Sequence, residues 1–218
     1  MKRLLSLALL GAVVVLTGCP QQAPPSRGVY LLMDTSGTYT QELDKAERII
    51  SFILAKLNPG DSFAVGRIDT GSFSEKDIIA HATFADRPSV TNQQKREFRR
   101  TIQAFVDGVE PASHTDITGG VLQATEWLNE VDPEQKVVLV FSDLKEDLPE
   151  GYVRDVSLEL AGFDVVALNV TKLQSDIVDP KQYLGRLEEW QERVEKAGGE
   201  WRVINDLDNM TGLFSEGR

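Results

Sequence analysis

Two kinds of apolar periodicity alternate along this chain, and that alternation limits the folds open to it more than any single motif does. "GVYLLMD" (28–34) is a continuous apolar run of strand length, and "QELDKAERIISFILAKLN" (41–58) sets Leu43, Ala46, Ile49, Ile50, Ile53, Leu54 and Leu57 on one helical face. Asn58-Pro59-Gly60 ends that helix. A second strand is expected over 62–69 and an edge strand over 77–84, followed by helices over 91–109 and 116–131. "KVVLVFSD" (136–143) is apolar on both faces, as a parallel strand covered by helices must be. A strand over 164–170, a helix over 181–197 and a strand over 200–205 complete the series. Segment 149–162 fits both periods, and the need for a crossover between parallel neighbours favours a helix there. Strands alternating with helices predict an α/β fold, a doubly wound and mostly parallel central sheet flanked by helices. Ligands of such sheets sit outside the carboxyl ends of the strands, where Asp34 and Asp143 stand.

The N-terminus does not belong to that sheet. "MKRLLSLALLGAVVVLTGC" has a basic start, an uncharged apolar run from Leu4 to Leu16 and a small-residue end, which is the pattern of a secretory signal. The run is shorter than the ~20 residues a spanning helix needs. Leu16-Thr17-Gly18-Cys19 resembles the lipobox of bacterial lipoproteins, which implies cleavage after residue 18 and a lipid on Cys19. Each buried CH₂ of an acyl chain adds ~0.8 kcal/mol, so two or three chains hold a protein to a membrane. The chain is therefore expected to be exported and lipid-anchored at the periplasmic face of a bacterial membrane or at the cell surface. Pro20 stands where Asp would signal inner-membrane retention, which leaves the outer membrane open as a destination in a two-membrane cell.

Cys19 is the only cysteine, so the domain has no disulfide and stands on its hydrophobic core. "PQQAPPSR" (20–27) reads as an extended spacer, giving residues 1–18 as signal, 19–27 as lipid-anchored linker and 28–218 as one domain. Residues 1–18 hold two basic and no acidic residues, so 21 Lys plus Arg face 34 Asp plus Glu in the remainder, a net charge of −13. Such a surface repels nucleic acid and anionic headgroups, and it suits divalent cations.

Asp34-x-Ser36-x-Thr38 after the first strand, Thr115-Asp116 opening a later helix, and Asp143 closing "VVLVFSD" resemble the three loops of a von Willebrand factor A domain. The resemblance runs over about residues 28 to 215. It implies a Rossmann-like sheet with one antiparallel edge strand and a metal-ion-dependent adhesion site. In such a site Ser36, Thr38 and Thr115 would coordinate through hydroxyls, Asp34 and Asp143 largely through water, and a protein partner's Glu or Asp would take the open position. The residue types agree on their own account. Hydroxyl and carboxylate oxygens without His or Cys select a hard cation, Mg²⁺ before Ca²⁺ or Mn²⁺, and a divalent ion removes the repulsion between two nearby carboxylates.

The chain departs from the family pattern at three places. Thr38 stands where Ser is usual, and His114 and Leu144 stand where Gly is common. Ser36, Thr38 and Thr115 also have an ordinary alternative use as helix caps. His114, Asp116 and Asp69 are candidates for supporting the metal ligands or touching a partner, with a turn aspartate the favoured reading of Asp69. "KREFRR" (95–100) is expected to be a solvated helix face, and Trp127, Trp190 and Trp201 to pack in the core. An enzyme is not expected. Haloacid-dehalogenase-like phosphatases place a second carboxylate two residues after a strand-end Asp, for general acid and base work, and here that position is Ser36. A scaffold of the same fold that binds no metal is the remaining alternative.

Overall fold

The computed structural model describes residues 25–37, 39, 42–154, 156–170, 176, 179–205 and 207–214. Six strands form a single sheet: β1 (Arg27–Asp34), β2 (Ser62–Ile68), β3 (Ile78–Thr83), β4 (Gln135–Phe141), β5 (Phe163–Leu168) and β6 (Glu200–Ile204). Their order is β3-β2-β1-β4-β5-β6. Every neighbouring pair is parallel except β2 with β3, so the sheet is mostly parallel with one antiparallel edge strand. The chain winds outward from β1 in both directions, which makes the β1–β4 junction the point where strand order reverses.

Among the described residues, four helices cover the sheet: α1 (Leu43–Lys56), α2 (Pro88–Gly108), α3 (Ile117–Val131) and α4 (Pro180–Lys196). Alternate residues of β1 divide between two cores. Val29, Leu31 and Met33 pack with α1 and α2, whereas Tyr30 and Leu32 pack with α3 and α4. Both faces of β1 and of most of β4 are therefore apolar, because neither strand has a face left for water. On α2 the inward residues are Phe98, stacked on Phe63 at a ring separation of 4.9 Å, and Ile102. Phe105 and Val106 are half-buried, and Arg96, Arg99 and Arg100 face solvent. Trp127 and Trp190 are buried as expected, and Trp201 is half-buried.

One expectation fails. Among the described residues, 149–162 contains no helix. Val153 and Val156, two of the residues that suggested an apolar stripe, are 79% and 52% exposed. The segment is held by other means: Asp147 exchanges both backbone hydrogen bonds with Thr115 (2.8 and 2.9 Å), Gly151 turns the chain at φ +80°, and Leu160 N–H donates to the Ala197 carbonyl at 2.9 Å. Parallel neighbours need a crossover, but a crossover tied down at several points does not need to be helical.

If α2 is attached through its apolar stripe, Phe98→Ala should cost about 3–5 kcal/mol and Arg99→Ala less than about 0.5 kcal/mol. Urea midpoints of the two variants test this, and equal losses would contradict the packing.

Candidate functional site

β1 ends in a carboxylate that has no exposed surface. Asp34 Oδ2 accepts from the Ser142 hydroxyl at 2.6 Å, and Oδ1 accepts from the Ser36 N–H at 2.8 Å. Burial pushes its pKa above the usual carboxylate range, while those donors pull it back. Ser36 sits next to Ala112 in a short parallel bridge, with Ala112 N–H on the Thr35 carbonyl at 2.8 Å, so the first loop is stitched to the segment before α3. Thr38 lies outside the described residues, as do Cys19 and the signal segment.

The second loop leads into α3. Its cap is Asp116, whose Oδ1 accepts from Gly119 N–H at 2.7 Å, so Thr115 is not the capping residue. Ser36 does not cap α1 either, because that helix begins after Glu42. Asp116 is fully buried and further committed to Arg154, whose Nη2 and Nε donate to its Oδ2 at 2.7 and 3.0 Å. Arg154 also donates to the Ser72 carbonyl. Gly119 permits that convergence, since a Cβ there would lie 2.0 Å from the Ser72 oxygen.

The third loop follows β4. Asp143 is 3% exposed, and its Oδ1 accepts from Lys145 N–H at 2.8 Å. Its pKa is raised, first by burial and then by the neighbouring Asp34, against the lowering effect of the Lys145 N–H and of Arg186. Leu144 takes a left-handed backbone (φ +64°), a conformation that favours Gly, the residue the resemblance implied for this place. Its buried side chain joins the α3–α4 core in return. α4 fixes the loop from behind through Arg186, Trp190 and Arg193, spaced along one helical face. Arg186 Nε donates to the Asp143 carbonyl (3.1 Å), Trp190 Nε1 to the Leu144 carbonyl (3.2 Å), and Arg193 pairs with Glu146 (3.3 Å). Glu146 in turn accepts from Thr118 N–H at 2.7 Å.

The three loops meet in a cleft of ≈ 300 Å³ lined by Ser36, Gly37, Ala112, Ser113, Thr115, Asp143, Lys145 and Asp147. Ser36, Thr115 and Asp143 are thus brought together, with Asp34 buried behind them. His114 sits at the rim, its Nδ1 3.3 Å from Asp147 Oδ2. Asp69 lines an adjoining cleft of ≈ 560 Å³, which shares Ala112 and Ser113 with the first, and pairs with Arg67 at 3.2 Å. Asp116 faces Arg154 instead of the metal-type oxygens. The donor set fits a hard divalent ion, because it offers hydroxyls and two carboxylates that repel one another. Among the described residues no group of three His, Cys, Asp or Glu gathers to hold a metal.

Sequence reading missed Ser142, Lys145, Asp147 and the three donors of α4. The i, i+4, i+7 spacing of Arg186, Trp190 and Arg193 was visible as a helical face, but its target lies more than forty residues away and has no local signature.

The strain at Leu144 gives a reversed order of substitutions. Replacing a buried Leu by Ala costs about 2–5 kcal/mol, and a left-handed backbone penalises non-glycine residues by about 1 kcal/mol. Leu144→Gly should therefore be less destabilising than Leu144→Ala. Thermal or urea unfolding decides it, and a Gly variant clearly weaker than the Ala variant would contradict the account.

No protein-family model matches the sequence, and no curated protein matches it. Solved structures do. A von Willebrand factor type A protein from Catenulispora acidiphila aligns over 88% of this chain and 41% of its own, with a TM-score of 0.54 and 14% identity. The pilus adhesin SpaC of Lactobacillus rhamnosus GG, in an open conformation, aligns over 89% of this chain and 29% of its own, with a TM-score of 0.54 and 10% identity. This chain spans less than half the length of either protein. A manganese-loaded TRAP protein of Plasmodium vivax aligns more loosely, at a TM-score of 0.43 and 13% identity over 88% of this chain and 63% of its own. At such identities the likeness concerns the fold alone: this chain has the fold of a von Willebrand factor A domain.

Proposed function

We propose that the domain is a binding module that holds one divalent cation, Mg²⁺ in preference to Ca²⁺ or Mn²⁺, and engages a protein partner through it. The observation that carries this reading is the convergence of Ser36, Thr115 and Asp143 from three loops on one cleft, with buried Asp34 behind them. Ser36, Thr38 and Thr115 would supply hydroxyl oxygens, and Asp34 and Asp143 would face the ion largely through water. The cation would relieve the two carboxylates that burial holds above their ordinary range. It would leave a coordination position for a Glu or Asp of the partner. SpaC is a pilus adhesin, and adhesion is the use of the fold that suits this cleft best.

The role assigned is binding, not catalysis. Ser36 occupies the place where a phosphatase of the haloacid-dehalogenase type needs its second carboxylate, and a hydroxyl ionises too far above neutrality to serve as general acid and base. A net charge of −11 over the whole chain disfavours nucleic acid as the partner. Membrane attachment would come from lipid on Cys19, with the module outside the cytoplasm. No helix among the described residues is long and apolar enough to cross a membrane.

Titration calorimetry of the chelator-treated chain should detect one Mg²⁺ per molecule and lose that heat in Asp143→Ala. At 100 times Kd the ion should add about 2.7 kcal/mol of stability. No heat and no rise in melting temperature with Mg²⁺, Ca²⁺ or Mn²⁺ would refute the metal reading. Separately, Cys19→Ala should move the protein from the membrane pellet to the soluble fraction, and a variant that still sediments with membranes would exclude lipid on Cys19 as the anchor.

A further inference from the structure

The two edges of the sheet are built differently. β6 (Glu200–Ile204) carries Glu200 and Arg202, and Arg202 is paired with Asp164 at 2.7 Å. β3 reads "IIAHAT" and has no Lys, Arg, Asp, Glu or Pro, the residues that usually blunt an exposed edge. It pairs with β2 on one side only. On the other side Gln94 Nε2 donates to the Thr83 carbonyl, but among the described residues nothing else bonds the outward backbone groups from Ile79 to Ala82.

Grooves lie on both sides of this open edge. The one towards α2 measures ≈ 500 Å³, with Phe98, Gln94 and Glu97 along it. The one towards α3 measures ≈ 620 Å³ and combines Trp127 with Glu75, Glu126 and Glu130. No Lys or Arg lines either groove. None of Glu75, Glu126 and Glu130 makes an ion pair among the described residues.

We propose that β3 is a docking edge for an extended segment of another protein, which adds to the sheet as a seventh strand and turns basic side chains towards α3. The unpaired backbone supplies the register, and side chains of a strand alternate between its two faces, so one set enters each groove. Three unneutralised carboxylates on the α3 side favour Lys or Arg in the set that enters there. The same charge argues against a second copy of this chain as the occupant. An antiparallel pair of identical strands is related by an axis perpendicular to the sheet, which would bring the two glutamate grooves together on one face. This surface involves none of the residues assigned to the cation, so it stands or falls apart from the metal reading.

The probe is an acetylated, amidated octapeptide alternating Lys and Val, titrated into the ¹⁵N-labelled chain. It should shift the amides of residues 78 to 83 and slow hydrogen exchange at 79 to 82. Glu126→Gln with Glu130→Gln should weaken binding at least tenfold, while Asp143→Ala should leave it unchanged. A peptide with Glu for each Lys should bind at least tenfold more weakly than the Lys peptide. The proposal is overturned if the Lys peptide does not bind at millimolar concentration, if the shifts fall elsewhere, or if the Glu peptide binds equally well. It is also overturned if the chain alone forms dimers through β3 in sedimentation and amide-shift measurements.

Discussion

A carboxylate without exposed surface at the end of a central strand is a liability unless donors meet it, and Asp34 governs much of what surrounds it. Its two oxygens are met by groups from different places: Ser36 N–H two residues on, and the Ser142 hydroxyl just past the end of β4. The second of these exists only because β1 and β4 are parallel neighbours in a register that sets Met33 against Phe141, so that the next residue of each strand emerges side by side. A slip of one residue would turn Ser142 to the other face and leave the carboxylate short of a donor. Strand register, loop position and the placement of Asp143 beside Asp34 are thus one constraint.

The metal-type loops owe their shape to elements that contribute no candidate ligand. Loop three is held by α4, whose Arg186, Trp190 and Arg193 reach Asp143, Leu144 and Glu146 in turn. Arg186 is itself held by Asp176 through two short hydrogen bonds of 2.7 and 2.9 Å. Loop two is held by Arg154 on Asp116. These buried or half-buried pairs resist loss of a partner more than exposed ones do, because breaking one leaves a charge without water or counterion. The left-handed Leu144 is tolerated for the same reason, since a buried side chain and a hydrogen-bonded carbonyl fix its backbone from both sides.

The fold was legible because its elements announce themselves locally. Strands β1 and β4 are apolar on both faces, and α1 carries its stripe at helical spacing, so neither needs knowledge of a distant residue. The candidate ligands were legible for a related reason: Asp34, Thr115 and Asp143 are each marked by the end of a strand or the start of a helix. What could not be read depended on partners far along the chain. Val153, Val156 and Leu160 fit a helical period by number, yet the segment follows Arg154 to Asp116 and Asp147 to Thr115, pairings that periodicity does not encode. Asp116 looked like an acidic side chain beside the cleft until its Arg was known, and Leu144 looked like a simple departure from glycine until its φ was known.

Charge acts in opposite senses at two places on one acidic molecule. In the cleft, Asp143 is buried close to Asp34, whose charge adds to burial in raising the cost of ionising it, and the proposed divalent cation would offset that cost. Along β3, Glu75, Glu126 and Glu130 stand in an open groove where water already solvates them, so they favour a basic strand by an attraction that salt screens. The sheet fixes the relation between the two. Only β2 separates β1 from β3, at strand spacings of about 4.8 Å, and the antiparallel course of β3 begins it, at Ile78, on the edge where β1 ends in Asp34. A ligand lying along β3 in either direction therefore has one end near the cleft, and the two surfaces are held at a fixed separation by hydrogen-bonded strands rather than by a loop.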